Sequence, residues 1–236
     1  MKKKITVLTG AGVSAESGIS TFRDSDGLWN NYDVNEVCSI DAWPRNKALM
    51  LSFYNDMRAN LANVRPNAAH MAIADLEKDY DVTVVTQNVD NLHERAGSTR
   101  IIHLHGELTK VRPENCYNDR DGYSTGSVID IGYDSIQIGD KGPNGAQLRP
   151  HIVWFGEAVP NITKAIDAVE GADILLIVGT SMQVYPAASL YGYAKAGTPI
   201  YVIDPAPLKV RDSRLKHIQE KATTGMETFK NILNSK

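Results

Sequence analysis

Cysteine is scarce: only Cys38 and Cys116 occur in 236 residues. Two thiols cannot make the disulfide framework of a small secreted scaffold, so a reducing cytoplasm is the expected setting. An excess of one charge is equally lacking. Lys and Arg number 25 against 28 Asp and Glu, a net charge of −3. With no basic block, the chain carries no electrostatic footprint for nucleic acid. Long apolar runs are missing too. Ile5 to Leu8 is far too short for a signal peptide or a membrane span, and Lys2 to Lys4 before it reads as a solvated lead-in. No internal repeat or low-complexity tract is visible. What remains is an ordinary globular composition, 42% hydrophobic and 22% charged. The length suits one good core, or a core with a small attached module.

Against this background the stretch from Val7 to Arg23 stands out. Ile5 to Leu8 reads as a buried strand, which Gly10 and Gly12 then break. Gly10-x-Gly12-x-x-Ala15 is the small-residue pattern of a strand-to-helix turn that cradles a diphosphate. Glycine lets the backbone approach the ligand, and the N–H groups and dipole of the following helix bind its charge. A dehydrogenase would also need a second strand ending in an acidic residue roughly 20 residues on. Asp24 to Asn46 is instead polar, with Gly27, Trp29, Asn30 and Asn31, and shows no strand. An ordinary dehydrogenase is not expected on that ground.

Downstream, strand and helix patterns alternate. Asp41 and Pro44 open a helix whose stripe of Leu49, Phe53, Met57 and Leu61 runs to about Asn63. Pro66 starts another, with Ala69, Ile73, Leu76 and Tyr80 on one face. Val82 to Val85, Ile101 to Leu104, Ile174 to Val178 and Ile200 to Ile203 read as buried parallel strands. Helices are expected over Ile162 to Val169, Pro186 to Ala196 and Glu227 to Leu233. The fold class is therefore α/β, a Rossmann-like parallel sheet covered by helices on both faces. Two stretches break the rhythm and form the candidate for a smaller inserted lobe, at about 24–65 and 107–150. The large lobe then takes about 1–23, 66–106 and 151–236.

The notable polar residues all follow strands: Gly10, Gln87 to Asp90, His105, Gly179 to Ser181, and Asp204. Ligands of open α/β sheets bind at those carboxyl ends. Gln87, Asn88 and Asp90 either cap the loop locally or grip an amide, which offers both donors and an acceptor. His103 and His105 are two apart and face one side if the strand stays regular. Without nearby cysteines or suitably spaced carboxylates they make a poor metal site. His105, before Gly106, can reach the cleft and has a near-neutral pKa suited to a general base. His103 reads as structural. Arg23 is either a surface residue or a bidentate partner for a diphosphate.

Five motifs in this order resemble the sirtuins, NAD-dependent protein deacylases. They are Gly10-Ala11-Gly12 with Thr21-Phe22-Arg23, then Gln87-Asn88-Val89-Asp90, His103 to Glu107, Val153 to Glu157, and Gly179-Thr180-Ser181. The resemblance spans about Ile5 to Ala222. Arg149 to Glu157 and Gly27 to Trp29 look most like the subgroup widespread in bacteria. It implies that Asn88 and Asp90 hold and polarise nicotinamide, and that Gln87 contacts the ribose. His105 would accept a proton from the ribose hydroxyls, so His105 and Asn88 are the catalytic candidates. Phe22 and Arg23 would lie over the reaction centre, and Gly179, Thr180 and Ser181 would meet the adenosine side. The NAD set extends to Ala15, Glu16, Trp29, Val89, Pro205, Ala206, Ala222 and Asp204, the last standing where the family usually has asparagine. The backbone of Phe155, Gly156 and Glu157 would pair with an extended acyl-lysine segment of a protein, with Val153, Val184, Tyr54 and Met57 nearby.

Two departures from the family pattern matter. Sirtuins normally carry four cysteines holding a structural zinc, whereas this chain has only Cys116 between Arg112 and Leu148. One thiolate cannot close a tetrahedral site, so no zinc is expected. A hairpin built on Val128, Ile129, Ile131, Ile136 and Ile138 is the expected replacement. Members that remove succinyl groups carry a tyrosine and, three residues later, an arginine. Here Tyr54 is followed by Met57, with Arg58 one place late. Either Met57 belongs to the helix core with Arg58 in solvent, or Met57 lines the acyl pocket with Arg58 one place displaced, and in neither case is a cation assured there. Acetyl and other neutral acyl groups are thus the expected substrates. The rivals are an NAD hydrolase or ADP-ribosyltransferase, and a nucleotide-sensing module without catalysis.

Overall fold

The computed structural model describes residues 2–19, 32–116, 127–180, 187–208 and 212–235. Its frame is a six-stranded parallel sheet in the order β3-β2-β1-β7-β8-β9. Here β1 is Lys4–Thr9, β2 Asp81–Thr86, β3 Ile101–His103, β7 Ile174–Val178, β8 Ile200–Ile203 and β9 Leu215–Ile218. β1 is central, with Ile5 opposite both Val82 of β2 and Ile174 of β7. Side chains alternate across the sheet, which is why these strands read as near-continuous apolar runs. Ile5, Val7, Val84, Leu176 and Ile203 point to one face. There they pack on α4 (Ala68–Asp75) and α7 (Ala222–Asn234) through Ile73, Met226 and Phe229. Leu8, Val85, Leu175, Ile177 and Val202 point to the other face, onto α6 (Ile162–Glu170) and Leu190. The expectation of a Rossmann-like sheet covered on both faces holds.

A second core lies over a three-stranded antiparallel sheet, order β5-β4-β6. Its strands are β4 (Gly106–Pro113), β5 (Ile129–Asp130) and β6 (Leu148–Ile152). Val37, Met50, Phe53, Leu61, Val111, Ile152 and Trp154 fill it, three of them from α3 (Trp43–Asn63). Pro44 in the first turn of α3 agrees with the sequence reading. Asn67 caps α4 by accepting from the Ala69 and His70 N–H groups.

Several local expectations are corrected. The helix expected from Pro186 to Ala196 is present as a 3-10 helix over Ala187–Tyr193, and β9 was not foreseen because Lys216 and His217 interrupt its apolar run. The hairpin expected over 128–138 does not form. Ile129 and Asp130 instead pair with Val111 and Lys110 of β4, while Ile136 is buried and Ile138 is exposed. In α3 the buried face is wider than the expected stripe. Phe53 and Leu61 are buried and Met57 packs against the core, but Leu49 is exposed, and Met50, Leu51, Tyr54 and Arg58 also face inward. Arg58, read as solvated or turned to the pocket, is fully buried. Its Nε donates to the Leu108 carbonyl and its Nη1 to Asn55 Oδ1, bracing α3 against β4.

The turns after β1 and β7 pack closely on one another. A Cβ on Gly12 would lie 2.7 Å from the Gly179 Cα, and one on Gly179 would lie 2.3 Å from the Val13 nitrogen. Gly179 also sits at φ +61°, which side chains rarely adopt. Gly179→Ala should therefore lower stability by about 2–4 kcal/mol through overlap and backbone strain. Urea unfolding is the measurement, and an unchanged midpoint would show that the contact is slack.

Candidate active site

Strand order reverses between β1 and β7, so the crevice for a ligand opens at the end of that pair. The turns there interlock. Gly10 N–H donates to the Val178 carbonyl, Gly12 N–H to the Gly179 carbonyl, and Val13 N–H to the Gly10 carbonyl. This revises the reading of the glycine motif. The glycines first allow two turns to touch, and their amides are largely spent on protein carbonyls. The helix that follows, α1 (Ala11–Ala15), is a single short turn that adds little dipole. Ala11 is half-buried at its start. Glu16, expected at the cofactor, instead binds the N–H and hydroxyl of Thr223 and so ties α1 to the first turn of α7. Ala222 is buried at that same turn.

The loop after β2 is pinned from three sides. Gln87 N–H donates to the Thr9 carbonyl and Gln87 Nε2 to the Thr180 hydroxyl, 3.0 Å away. Asn88 Nδ2 donates to the Gly10 carbonyl and to Ser14 Oγ. Ser14 Oγ donates to Asp90 Oδ2 at 2.9 Å, and Asp90 Oδ1 accepts the Leu92 N–H. Burial pushes the Asp90 carboxyl up from its ordinary value. Behind this row, His70 takes the Asn67 N–H on Nδ1 and faces Ser14 Oγ with Nε2 at 3.4 Å. His93 Nε2 lies 3.0 Å from the Thr9 hydroxyl, and the two rings meet edge to face.

His105 Nδ1 donates to the Gln87 carbonyl at 2.9 Å. That bond fixes the tautomer and leaves the Nε2 lone pair as the free basic site. Burial pulls the His105 pKa down, partly offset by the Gln87 carbonyl, so the ring is neutral near pH 7. The His105 carbonyl accepts the Val153 N–H. One residue is thereby joined to the Gln87 loop by its ring and to the Val153 segment by its backbone. Asp204, after β8, accepts the Ala206 N–H, just past Pro205, on Oδ1, and its carbonyl accepts from His217 Nε2 of β9.

The candidate substrate residues divide. Phe155 N–H donates to the Cys38 carbonyl, and its own carbonyl accepts the Ile40 N–H. Its main chain is thus already paired within the molecule, while its ring is exposed. Gly156, at φ +90°, carries the next outward-facing peptide. Glu157 turns its side chain inward. Its N–H closes a turn on the Trp154 carbonyl, and its carboxylate is buried between Arg149 (2.7 and 2.9 Å) and Arg112 (3.3 Å) while accepting the Trp154 N–H. Tyr54 is buried and takes the Trp154 Nε1–H on its hydroxyl, with Cys38 Sγ at 3.5 Å. Burial raises the Cys38 thiol to about 11, which leaves it inert. Met57 and Val89 are half-buried against the second core. Thr21, Phe22, Arg23, Trp29, Ser181 and Val184 lie outside the described residues.

Among the described residues one group has metal donor types, Glu94, His103 and Glu107. Both carboxylates already face a cation: His103 Nε2 lies 2.7 Å from Glu94, and Lys110 lies 2.7 Å from Glu107.

The Sir2 family model matches residues 10–186. The chain belongs to the Sir2 family. An NAD-dependent protein deacylase of Bacteroides thetaiotaomicron is 51% identical over 234 residues, covering 98% of each chain. One of Helicobacter pylori is 52% identical over 203 residues, covering 86% of this chain and 85% of that one. A Sir2 homologue solved with NAD superposes at a TM-score of 0.85 with 37% identity, over 99% of this chain and 90% of that one. A Sir2 variant solved with a deacetylated p53 peptide and an acetyl ADP-ribose gives 0.81 and 26%, over 98% and 94%.

Sequence reading of this Sir2 chain missed Ser14, His70, His93 and Glu94. The available signal was two histidines on short apolar helices, where a buried imidazole needs a polar partner. These rings have a measurable consequence. Burial lowers His70 to about 4 and His151, also beside Arg112, to about 3, and it lowers His93 well below its ordinary value. Unfolded, each would protonate near ~6.5. Between that pH and the folded values the unfolded chain binds more protons, so stability falls as pH drops. His103, raised by Glu94 against the effect of burial, opposes this but is one ring against several. Urea midpoints should show a net loss of about 1–3 kcal/mol per pH unit below pH ~6. His151→Asn should flatten that slope by about one proton, and equal stability at pH 7 and pH 5 would contradict the assignment.

Proposed function

We propose that this chain is an NAD-dependent protein-lysine deacylase that passes an acyl group from lysine to ADP-ribose and releases nicotinamide. The observation that carries the reading is His105, joined to the Gln87 loop through Nδ1 and to the Val153 segment through its carbonyl. NAD, when bound, supplies an electrophilic anomeric carbon and the ribose hydroxyls that carry the acyl group away. The protein's share is placement and proton handling. Asn88 and Asp90 hold the nicotinamide amide, with the Asp90 carboxylate kept in place by Ser14. His105 Nε2 takes the proton from the ribose. The Val153 to Gly156 segment and the exposed Phe155 ring set the acyl-lysine beside it. Arranging these groups in a partly desolvated cleft is the source of rate.

The decisive assay follows nicotinamide release from NAD with and without an acetyl-lysine peptide. Release should require the peptide, and release indifferent to it would make the chain an NAD hydrolase or ADP-ribosyltransferase. The lowered His105 pKa sets the sign of the pH profile. The acid limb of kcat/KM should fall below ~6.5, the ordinary histidine value. His105→Tyr should abolish turnover while NAD still raises the melting temperature.

Neutral acyl groups are the proposed substrates. The Tyr54 hydroxyl is turned to Trp154, Met57 brings a thioether, and Arg58 is engaged by Leu108 and Asn55. No cation is thus offered to a distal carboxylate by these three residues. kcat/KM should favour acetyl over succinyl on one peptide by more than about tenfold, and a succinyl preference would refute this. We also infer a small lobe without structural zinc and a cytoplasmic setting. Cys116 and Cys38 are buried apart, the second against Tyr54, and do not fit a tetrahedral thiolate site. Stoichiometric zinc in chelator-free protein would overturn the first inference. No described helix is long and apolar enough to cross a membrane.

A further inference from the structure

Three successive carbonyls of the loop after β2 are each held from the segment that contains β3 and β4. Gln87 takes the His105 Nδ1–H, Asn88 faces His103 Nδ1 at 3.3 Å, and Val89 takes the Leu108 N–H at 2.8 Å. The outer two donors do not depend on charge. The middle one does. His103 Nε2 faces Glu94 Oε1 at 2.7 Å, so both ring nitrogens point at acceptors. Only the imidazolium donates to both. A neutral ring keeps one proton, and the short bond to a carboxylate outcompetes the longer one to a carbonyl. Loss of the charge therefore releases the Asn88 carbonyl.

We infer that His103, paired with Glu94, is a positioning residue that holds the nicotinamide-gripping loop through the Asn88 carbonyl. The inference rests on the reading that Asn88 and Asp90 bind nicotinamide. Fixing the Asn88 main chain fixes the side chain that reaches Gly10 and Ser14, and with it the spacing to Asp90. The group is 8% exposed, so solvent does not replace the lost donor.

The charges around the ring are Glu94 and His93 from α5 (Leu92–Ala96), Asp90 from the loop, Glu107 and Lys110 from β4, and His151 from β6. His105 lies two residues on, in the same segment. Lys110 neutralises Glu107, so Glu94 is the contact that holds the proton. Its pairing raises His103, and the Asn88 contact should be present below that raised pKa and lost as pH climbs through it.

The test separates the two donors. His103→Asn keeps an amide donor near the Nδ1 position at every pH, His103→Gln keeps one near Nε2, and His103→Leu keeps neither. The readouts are the inhibition constant for the product nicotinamide, KM for NAD against kcat, and their pH dependence. His103→Leu and His103→Gln should weaken nicotinamide inhibition by about tenfold, and His103→Asn should recover it to within about twofold. The native alkaline loss should vanish in His103→Asn and move to lower pH in Glu94→Gln. Unchanged nicotinamide inhibition in His103→Leu overturns the proposal. So does a loss in all three variants that simply follows melting temperature. Asn88→Ala is the control. If it also leaves nicotinamide inhibition unmoved, the site reading itself falls. If it alone has an effect, only the role of His103 falls.

Discussion

Two strand-end turns meet with no room for a side chain between them, and the cleft is built on that contact. Gly12 and Gly179 bring the ends of β1 and β7 within backbone distance, and Gly12 N–H closes on the Gly179 carbonyl. Thr180 then stands where Gln87 can reach it, and Gly10 offers its carbonyl to Asn88. Any Cβ at Gly12 or Gly179 would wedge the sheet open at its ligand-binding end. The ladders on either side would tolerate this poorly, because β1 and β7 are buried on both faces and cannot shift without disturbing two cores.

The loop on that frame is held almost wholly by polar bonds in a desolvated place. Such networks are rigid when every member is satisfied and costly when one is not. Ser14 sits at the hinge of this one, accepting from Asn88 and donating to Asp90 with His70 behind it. A serine hydroxyl both accepts and donates, which a carboxylate or an amide nitrogen cannot do in that place. The same logic separates the two neighbouring histidines. His105 needs one proton and a free lone pair, and burial together with a carbonyl partner supplies that state. His103 needs two protons, and the Glu94 carboxylate supplies that one. Similar rings two residues apart have their pKa values moved in opposite directions, His105 down by burial and His103 up by Glu94.

The sheet was legible because its strands are long apolar runs followed by polar turns, a pattern fixed by burial on both faces. The convergence of Gly10, Gln87, His105, Gly179 and Asp204 followed from strand ends alone. The second core was less readable. There the burial of Arg58 depends on Leu108 and Asn55, partners that periodicity cannot show, and the buried face of α3 takes in Met50, Leu51 and Tyr54 beside the expected Phe53 and Leu61. Glu157 misled for a related reason. It sits inside a motif tied to the substrate, yet its partners Arg112 and Arg149 come from two strands of the small sheet. The glycine motif was explained by ligand approach, and the structure adds a second constraint, since a Cβ at Gly10 or Gly12 would meet Gly179 and Thr180.

The Glu157 cluster also bears on how the second core holds together. Arg149 lies against the Trp154 ring, with its guanidinium carbon 3.4 Å from the ring centre, while both its terminal nitrogens reach Glu157. Arg112 approaches the same carboxylate from the neighbouring strand, so β4, β6 and the Val153 to Glu157 turn meet at one point. A buried ion cluster gives little net stability over an apolar one, because desolvating the charges cancels most of their attraction. What it fixes is geometry. A planar guanidinium bound through both nitrogens and stacked on an indole allows one orientation of the turn. That orientation sets Phe155 against Cys38 and Ile40 and leaves Gly156 facing outward. Removing the carboxylate would strand two buried cations, at a cost of about 3–5 kcal/mol. It would also free the segment joined to His105, so a side chain turned into the small lobe governs the orientation of the Val153 to Gly156 main chain.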